Sequence, residues 1–163
     1  MISRRNIRTR VMQAVYACLQ SEQEPSKVFN LLLKEVADEV RAVERRKNLS
    51  GDIKLLTHLY FNSIANVDEY NEYIKSKAQN WELNRIAQID KILMYMAISE
   101  MLNFQEIPIK VTINEYLELA KQYSTPKSSR FINGILDSLY SDFMKAGLIK
   151  KSGRGLINYS SKR

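Results

Sequence analysis

The chain has 163 residues, 45% hydrophobic and 26% charged, with five glycines, three prolines and one cysteine. That composition fits a helical globular protein with a real core and excludes a collagen-like or disulfide-stapled chain. Its net charge of +7 is terminal: residues 1–10 carry four basic side chains and residues 145–163 six, with no acid in either, while 11–144 hold fifteen basic and eighteen acidic ones.

A near-neutral body with two cationic ends suggests a polyanionic partner, nucleic acid first among them. Two solubilising tails would give the same charge map. The lone Cys18 leaves no intramolecular disulfide, which points to a reducing cytoplasmic setting. The arginine-bearing start has no apolar run behind it, so it does not read as a signal peptide. No stretch is apolar enough to span a bilayer.

The first helix is expected over Ser3–Gln20, where Ile7, Val11, Ala14, Val15, Cys18 and Leu19 form an apolar stripe. Around it sit Arg4, Arg5, Arg8 and Arg10, with no acid before Glu22. Cations near a helix N-terminus oppose its partial positive charge, and such a breach of local preference marks a site kept for function. At 100° per residue, Arg5, Thr9, Met12 and Tyr16 fall on one line roughly opposite the stripe. There the guanidinium suits phosphate and the phenol ring suits an unpaired base. A solvated charged face, with Tyr16 packed on a neighbouring helix, would give the same pattern. Cys18 reads as a buried core thiol.

After a polar loop at Ser21–Ser26, Ser26 is placed as the cap of a second helix with Val28, Phe29, Leu32, Leu33, Val36, Val40 and Val43 on one face. The basic cluster Arg45, Arg46 and Lys47 suits that helix's C-terminus. Asp52 then opens one long helix through about Ala78, with Ile53, Leu56, Leu59, Tyr60, Ile64, Val67, Tyr70 and Ile74 recurring every three or four residues. His58, the only histidine, lacks companions for a metal site and reads as a surface or boundary residue.

Asn80–Asn84, with Trp81, links two lobes, so the expected division is a helical bundle over 1–80, a second over 81–145 and a mobile basic tail over 146–163. The second bundle centres on an apolar helix over Arg85–Phe104, whose methionines suit irregular packing. The next helix starts either with Pro108 in its first position or at Thr112 with Glu115 completing a capping box. Thr125 and Pro126 start the last helix, which runs to about Lys145, and Gly134 inside it suggests a closely packed neighbour. No segment alternates like a strand, so the fold class is all-α.

No glycine-rich phosphate loop, paired metal-binding histidines or nucleophile elbow appears. The expectation is a binding protein without enzyme activity, cofactor or metal.

Four stretches together resemble the NusB family of bacterial transcription antitermination factors. RRNIRTRVMQAVY is similar to the family's arginine-rich motif and the Gln-Ala-Leu-Tyr element after it. IAQIDKILMYMAISEM is similar to the helix opening the family's second half. IPIKVTINEYLELAKQYS resembles its Ile-Pro-x-x-Val-x-Ile-Asn-Glu-x-x-x-Leu-Ala-Lys segment, and SSRFINGILDSL its Phe-Val-Asn-Gly-Val-Leu-Asp segment. The last two are the specific ones, and the likeness covers about residues 3–140, being only generic over Glu24–Leu56.

The resemblance implies about seven helices in two small bundles. It implies binding of single-stranded boxA RNA from ribosomal-operon leaders, and pairing with the ribosomal protein NusE in an RNA polymerase antitermination complex. Monomers and homodimers both occur in the family. Carried over by position, it implies Arg4, Arg5 and Arg8 at phosphates, Tyr16 at a base, Gln88 and Asp90 at base edges, and Ser128, Arg130 and Phe131 completing the surface. Asn6 and Ile7 dilute the arginine motif, Lys127 stands where an acid is often found, and the tail after Gly147 extends beyond the shared region. Two further readings are an RNA-binding module of an rRNA methyltransferase and a protein-only helical adaptor.

Overall fold

A computed structural model of the chain describes residues 3–41, 49–78 and 82–157. Among them are seven α-helices and no strand: α1 Arg4–Ser21, α2 Pro25–Arg41, α3 Leu49–Ala65, α4 Val67–Lys77, α5 Gln88–Asn103, α6 Ile109–Tyr123 and α7 Pro126–Lys145. The all-α reading holds. The basic cluster at Arg45–Lys47 and the link residue Trp81 lie outside the described residues.

The helix expected from Asp52 to Ala78 is two helices. α3 ends at Ala65, and Asn66 leaves helical geometry with φ −111° and ψ 21° before α4 begins. The apolar spacing continues across this break, which is why periodicity missed it. The charges mark it: Asp68 and Glu69 fill the first turn of α4, and Lys75 and Lys77 its last, each sign at the helix end that favours it. The break is also the boundary of two compact units, Met1–Ala65 and Asn66–Arg163.

In the first unit α1 packs on both α2 and α3. Ile7, Val11 and Val15 of α1 are sealed from water, as are Leu56, Leu59 and Tyr60 of α3 and Leu32 of α2. Each such side chain contributes roughly 1.5–3 kcal/mol of burial. Phe29 stacks on Tyr60 with ring centroids 5.3 Å apart, and Phe61 meets the Tyr60 ring edge-on at 5.2 Å. The Tyr60 hydroxyl donates to the Pro25 carbonyl at 2.9 Å, and burial pushes its pKa up. Pro25 is the first residue of α2, where its missing N–H costs nothing. Ser26 is therefore inside the helix rather than capping it, and its hydroxyl donates to Glu24 Oε1 at 2.7 Å. Cys18 is buried, as expected.

In the second unit α5 packs against α4, α6 and α7. Ile92 through Met101 are buried without a gap, because a helix apolar all round has to be enclosed all round. It begins at Gln88, three residues after Arg85, which belongs to a separate 3-10 turn at Leu83–Arg85. Glu100 is fully buried in this apolar helix. Its carboxyl oxygens accept from the Thr112 hydroxyl at 2.9 Å and the Tyr116 hydroxyl at 3.0 Å, both on α6. Thr112 thus serves the core and not a capping box. The helix starts at Ile109, with Pro108 in the cap position.

Two further expectations change. Gly134 is exposed, with nothing within 4 Å of where a Cβ would stand, so it admits no packed neighbour. The segment after Gly147 is seated, not loose, as far as Ile157. Ser152 N–H donates to the Gln105 carbonyl at 3.0 Å, and the Lys151 ammonium donates to the Phe104 carbonyl at 2.8 Å. Gly155 lies so close that a Cβ there would collide with the Gln105 carbonyl oxygen. No helix among the described residues is long and apolar enough to cross a membrane.

Candidate nucleic-acid interface

The first group of candidate residues is carried by α1. Ser3 caps that helix, its Oγ accepting from Asn6 N–H at 3.1 Å, so Arg4 and Arg5 occupy the first turn. Both are exposed. Arg4 Nε stands 3.9 Å from Asp52 Oδ1, a loose and partly wet pairing worth little. The Thr9 hydroxyl donates to the Arg5 carbonyl at 3.1 Å. Arg10 NH1 donates to Glu35 Oε2 at 3.3 Å, which ties this arginine to α2.

Tyr16 is 43% exposed. It follows Arg5 by three turns, about 16 Å along the axis, on nearly the same azimuth. The line between them is not wholly outward, since Met12 is buried. The larger correction is Arg8, which is 2% exposed. Its guanidinium does not face solvent. The spacing explains this: Arg8 precedes Val11 by three and Val15 by seven, so it sits inside the apolar stripe. A charge count alone cannot separate it from its exposed neighbours.

The second group belongs to the other unit. Gln88 opens α5 and is partly exposed, and Asp90 is in the same first turn. An acid suits that end of a helix. Asp90 is only 5% exposed, yet its Oδ1 has no hydrogen-bond partner. A buried carboxyl oxygen so placed lacks the donor that buried polar atoms ordinarily have, and an exocyclic base amine is one group that can supply it.

α7 supplies the rest. Thr125 caps it, its Oγ1 accepting from Ser128 N–H at 3.2 Å, with Pro126 in the first turn. Ser128 is buried in a small hydroxyl cluster. Ser124 Oγ donates to Ser128 Oγ at 2.9 Å, and Thr125 Oγ1 shares a bond of 2.9 Å with the same atom. Sequence reading found the cap here and missed the cluster, although the Ser-Thr-Pro-x-Ser run is its signal. Arg130 and Lys127 are exposed, and Phe131 is half-buried. Gln88 and Asp90 thus share one helix start, and Ser128, Arg130 and Phe131 the first turns of another packed against it.

Residues 5–141 match the family model described as the NusB family. A transcription antitermination protein NusB of Chloroherpeton thalassium is 42% identical over 165 residues, covering 99% of this chain and 72% of that protein. Among solved structures, a NusB of T. maritima superposes with a TM-score of 0.67 at 28% identity, over 86% of this chain and 92% of that one. A chain in a crystal structure of the antitermination factors NusB and NusE with double-stranded RNA gives 0.66 at 15% identity, over 85% and 96%, and so speaks for the fold alone. With its family model spanning α1 to α7 and a relative this similar along nearly its whole length, the chain belongs to the NusB family.

Proposed function

We propose that this chain is a transcription antitermination factor that binds single-stranded boxA-type RNA of ribosomal-operon leaders and acts together with NusE in a polymerase-bound complex. Family membership supports this, as does the existence of a solved NusB–NusE complex with RNA on the same fold. The observation that carries the RNA reading is the joint exposure of Arg5 and Tyr16 on α1, a cation for phosphate and a ring for stacking. In this reading Arg4 and Arg5 hold phosphates and Tyr16 stacks a base. Gln88 and Asp90 read base edges, while Arg130 and Phe131 extend the surface from the start of α7. Ser128 positions that turn through its hydroxyl cluster, and Arg8 acts within the folded chain instead of at the RNA. The action is binding, with no bond made or broken.

The experiment is a titration of the chain with a labelled boxA-type oligoribonucleotide and a scrambled one, each with and without NusE. The reading expects tighter binding of boxA, a further gain with NusE, and steep weakening with salt. Equal affinity for both oligonucleotides, unchanged by NusE, would overturn it.

A further inference from the structure

Beyond the region that the family model covers, residues 146–157 run back along the second unit. Three backbone or side-chain donors fix this strap. Leu148 N–H donates to the Phe143 carbonyl at 2.9 Å, Lys151 Nζ to the Phe104 carbonyl at 2.8 Å, and Ser152 N–H to the Gln105 carbonyl at 3.0 Å. The Phe104 carbonyl stands at the C-cap of α5, where a cation is also favoured, and Gln105 follows it in the turn to α6. Gly155 completes the seat, because only a residue without a Cβ can lie against Gln105 as it does.

A strap anchored in this way holds its side chains at defined places, and several are apolar and wet. Leu156 is 64% exposed and Ile157 62%, Leu148 is also exposed, and beside the strap Met144 at the end of α7 is 51% exposed. These make up four of the nine large hydrophobic side chains that are exposed among the described residues, gathered within fourteen positions of the chain. Scattered exposed hydrophobics need no explanation, but a cluster held by fixed backbone does. Met144, Leu156 and Ile157 line a groove of about 470 Å³ together with Ile109, Tyr140 and Ile149. Lys150 is exposed in the lining, and Lys145 and Arg154 are exposed on the same stretch of chain, which contains no acid, whereas the Lys151 ammonium is turned in to the Phe104 carbonyl.

We infer that this groove docks an acidic amphipathic helix of a protein partner. The apolar lining would receive the partner's apolar stripe, and the exposed Lys150, Lys145 and Arg154 its flanking carboxylates, the arrangement by which amphipathic helices commonly seat in grooves. A nucleic acid matches the charge but fits the lining less well, since its most exposed side chains, Met144, Leu156 and Ile157, are apolar and not aromatic, while the Tyr140 ring is only partly exposed. The site is separate from the RNA reading and stands without it.

The test uses the full chain and a fluorescein-labelled helical peptide with leucine at i, i+3, i+4 and i+7 and glutamate elsewhere. The same composition in scrambled order and a lysine-for-glutamate version serve as controls. Anisotropy is expected to show the acidic amphipathic peptide binding at least about tenfold more tightly than either control, the worth of burying one or two large aliphatic side chains. Leu156→Asp is expected to lose about tenfold in affinity with an unchanged melting temperature, as both its folded and mutant side chains face water. Gly155→Val, which unseats the strap without touching the chemistry of the exposed lining, is expected to lose binding as well. Equal binding of the scrambled peptide, full affinity in Leu156→Asp, or displacement of the peptide by oligouridylate from the Arg5→Ala chain would each overturn the proposal.

Discussion

The Tyr116 hydroxyl donates to Glu100 Oε2 at 3.0 Å in a place that water does not reach, and this ties α6 to the centre of the second unit. A carboxyl group in an otherwise apolar helix is costly unless its oxygens are satisfied. Thr112 and Tyr116 supply donors to both. Tyr116→Phe keeps the ring and deletes one donor, so it should cost about 1–3 kcal/mol in a urea unfolding experiment. Undiminished stability would mean that the bond contributes nothing to holding α6.

The strap makes a pH-dependent contribution. Burial pushes Lys151 down to about 8 from an ordinary 10.5, against the pull of Glu100 and Glu106. A lysine whose folded pKa is lowered carries an unfavourable charge below pH 8. Between about 8 and 10.5 the unfolded chain keeps the proton that the folded chain has lost, so stability gains as pH rises through that window. The melting-temperature difference between wild type and Lys151→Met should therefore move in favour of wild type from pH 7 to pH 9.5. A constant difference would contradict the burial of that ammonium.

Tyr95 acts in the opposite sense at higher pH. Burial pushes its hydroxyl up to about 12 from an ordinary 10.0, and it donates to Asn71 Oδ1 at 2.6 Å. The folded chain keeps this proton where the unfolded chain would release it. The resulting stability is complete below pH 10 and is lost as pH climbs toward 12. Tyrosinate absorbance should rise late, together with unfolding, and Tyr95→Phe should flatten part of the stability loss between those values. Early, non-cooperative ionisation of every tyrosine would contradict it.

Two glycines should respond in opposite directions. Gly134 is helical, exposed and unencumbered, so Gly134→Ala should add about 0.4–1 kcal/mol by restricting the unfolded chain. Gly155→Ala should destabilise, because its Cβ would collide with the Gln105 carbonyl, and hydrogen exchange at Ser152 N–H should quicken. The same sign for both would show that the strap is not seated as described.

What could be read from sequence, and what could not, follows from the range of each signal. Helical spacing identified the stripe of Ile7, Val11 and Val15, and the Thr125-Pro126 start of α7, because both depend on residues within a turn or two. The break at Asn66 escaped because the apolar rhythm carries across it, and only the charges of α4 reveal it. The family likeness assigns Arg8 to a phosphate by position, whereas its azimuth lies inside the apolar stripe. Gly134 was read from its cost to a helix, which says nothing of what stands beside it. The buried Glu100 and the seat of Gly155 depend on α6 and on the α5–α6 turn, partners that no local window contains.

The central claim is that α1 meets RNA through Arg5 and Tyr16 and not through Arg8. The most direct measurement is the slope of log affinity against log salt for a single-stranded boxA-type RNA, in wild type, Arg5→Ala, Arg8→Ala and Tyr16→Ala, beside the melting temperature of each. The account predicts a slope shallower by about 0.7 for Arg5→Ala with stability unchanged, from the loss of one phosphate contact. It predicts weaker boxA preference for Tyr16→Ala, and for Arg8→Ala a lowered melting temperature with the slope of the folded chain unaltered. An unchanged slope in Arg5→Ala, or a shallower one in a fully stable Arg8→Ala, would contradict it.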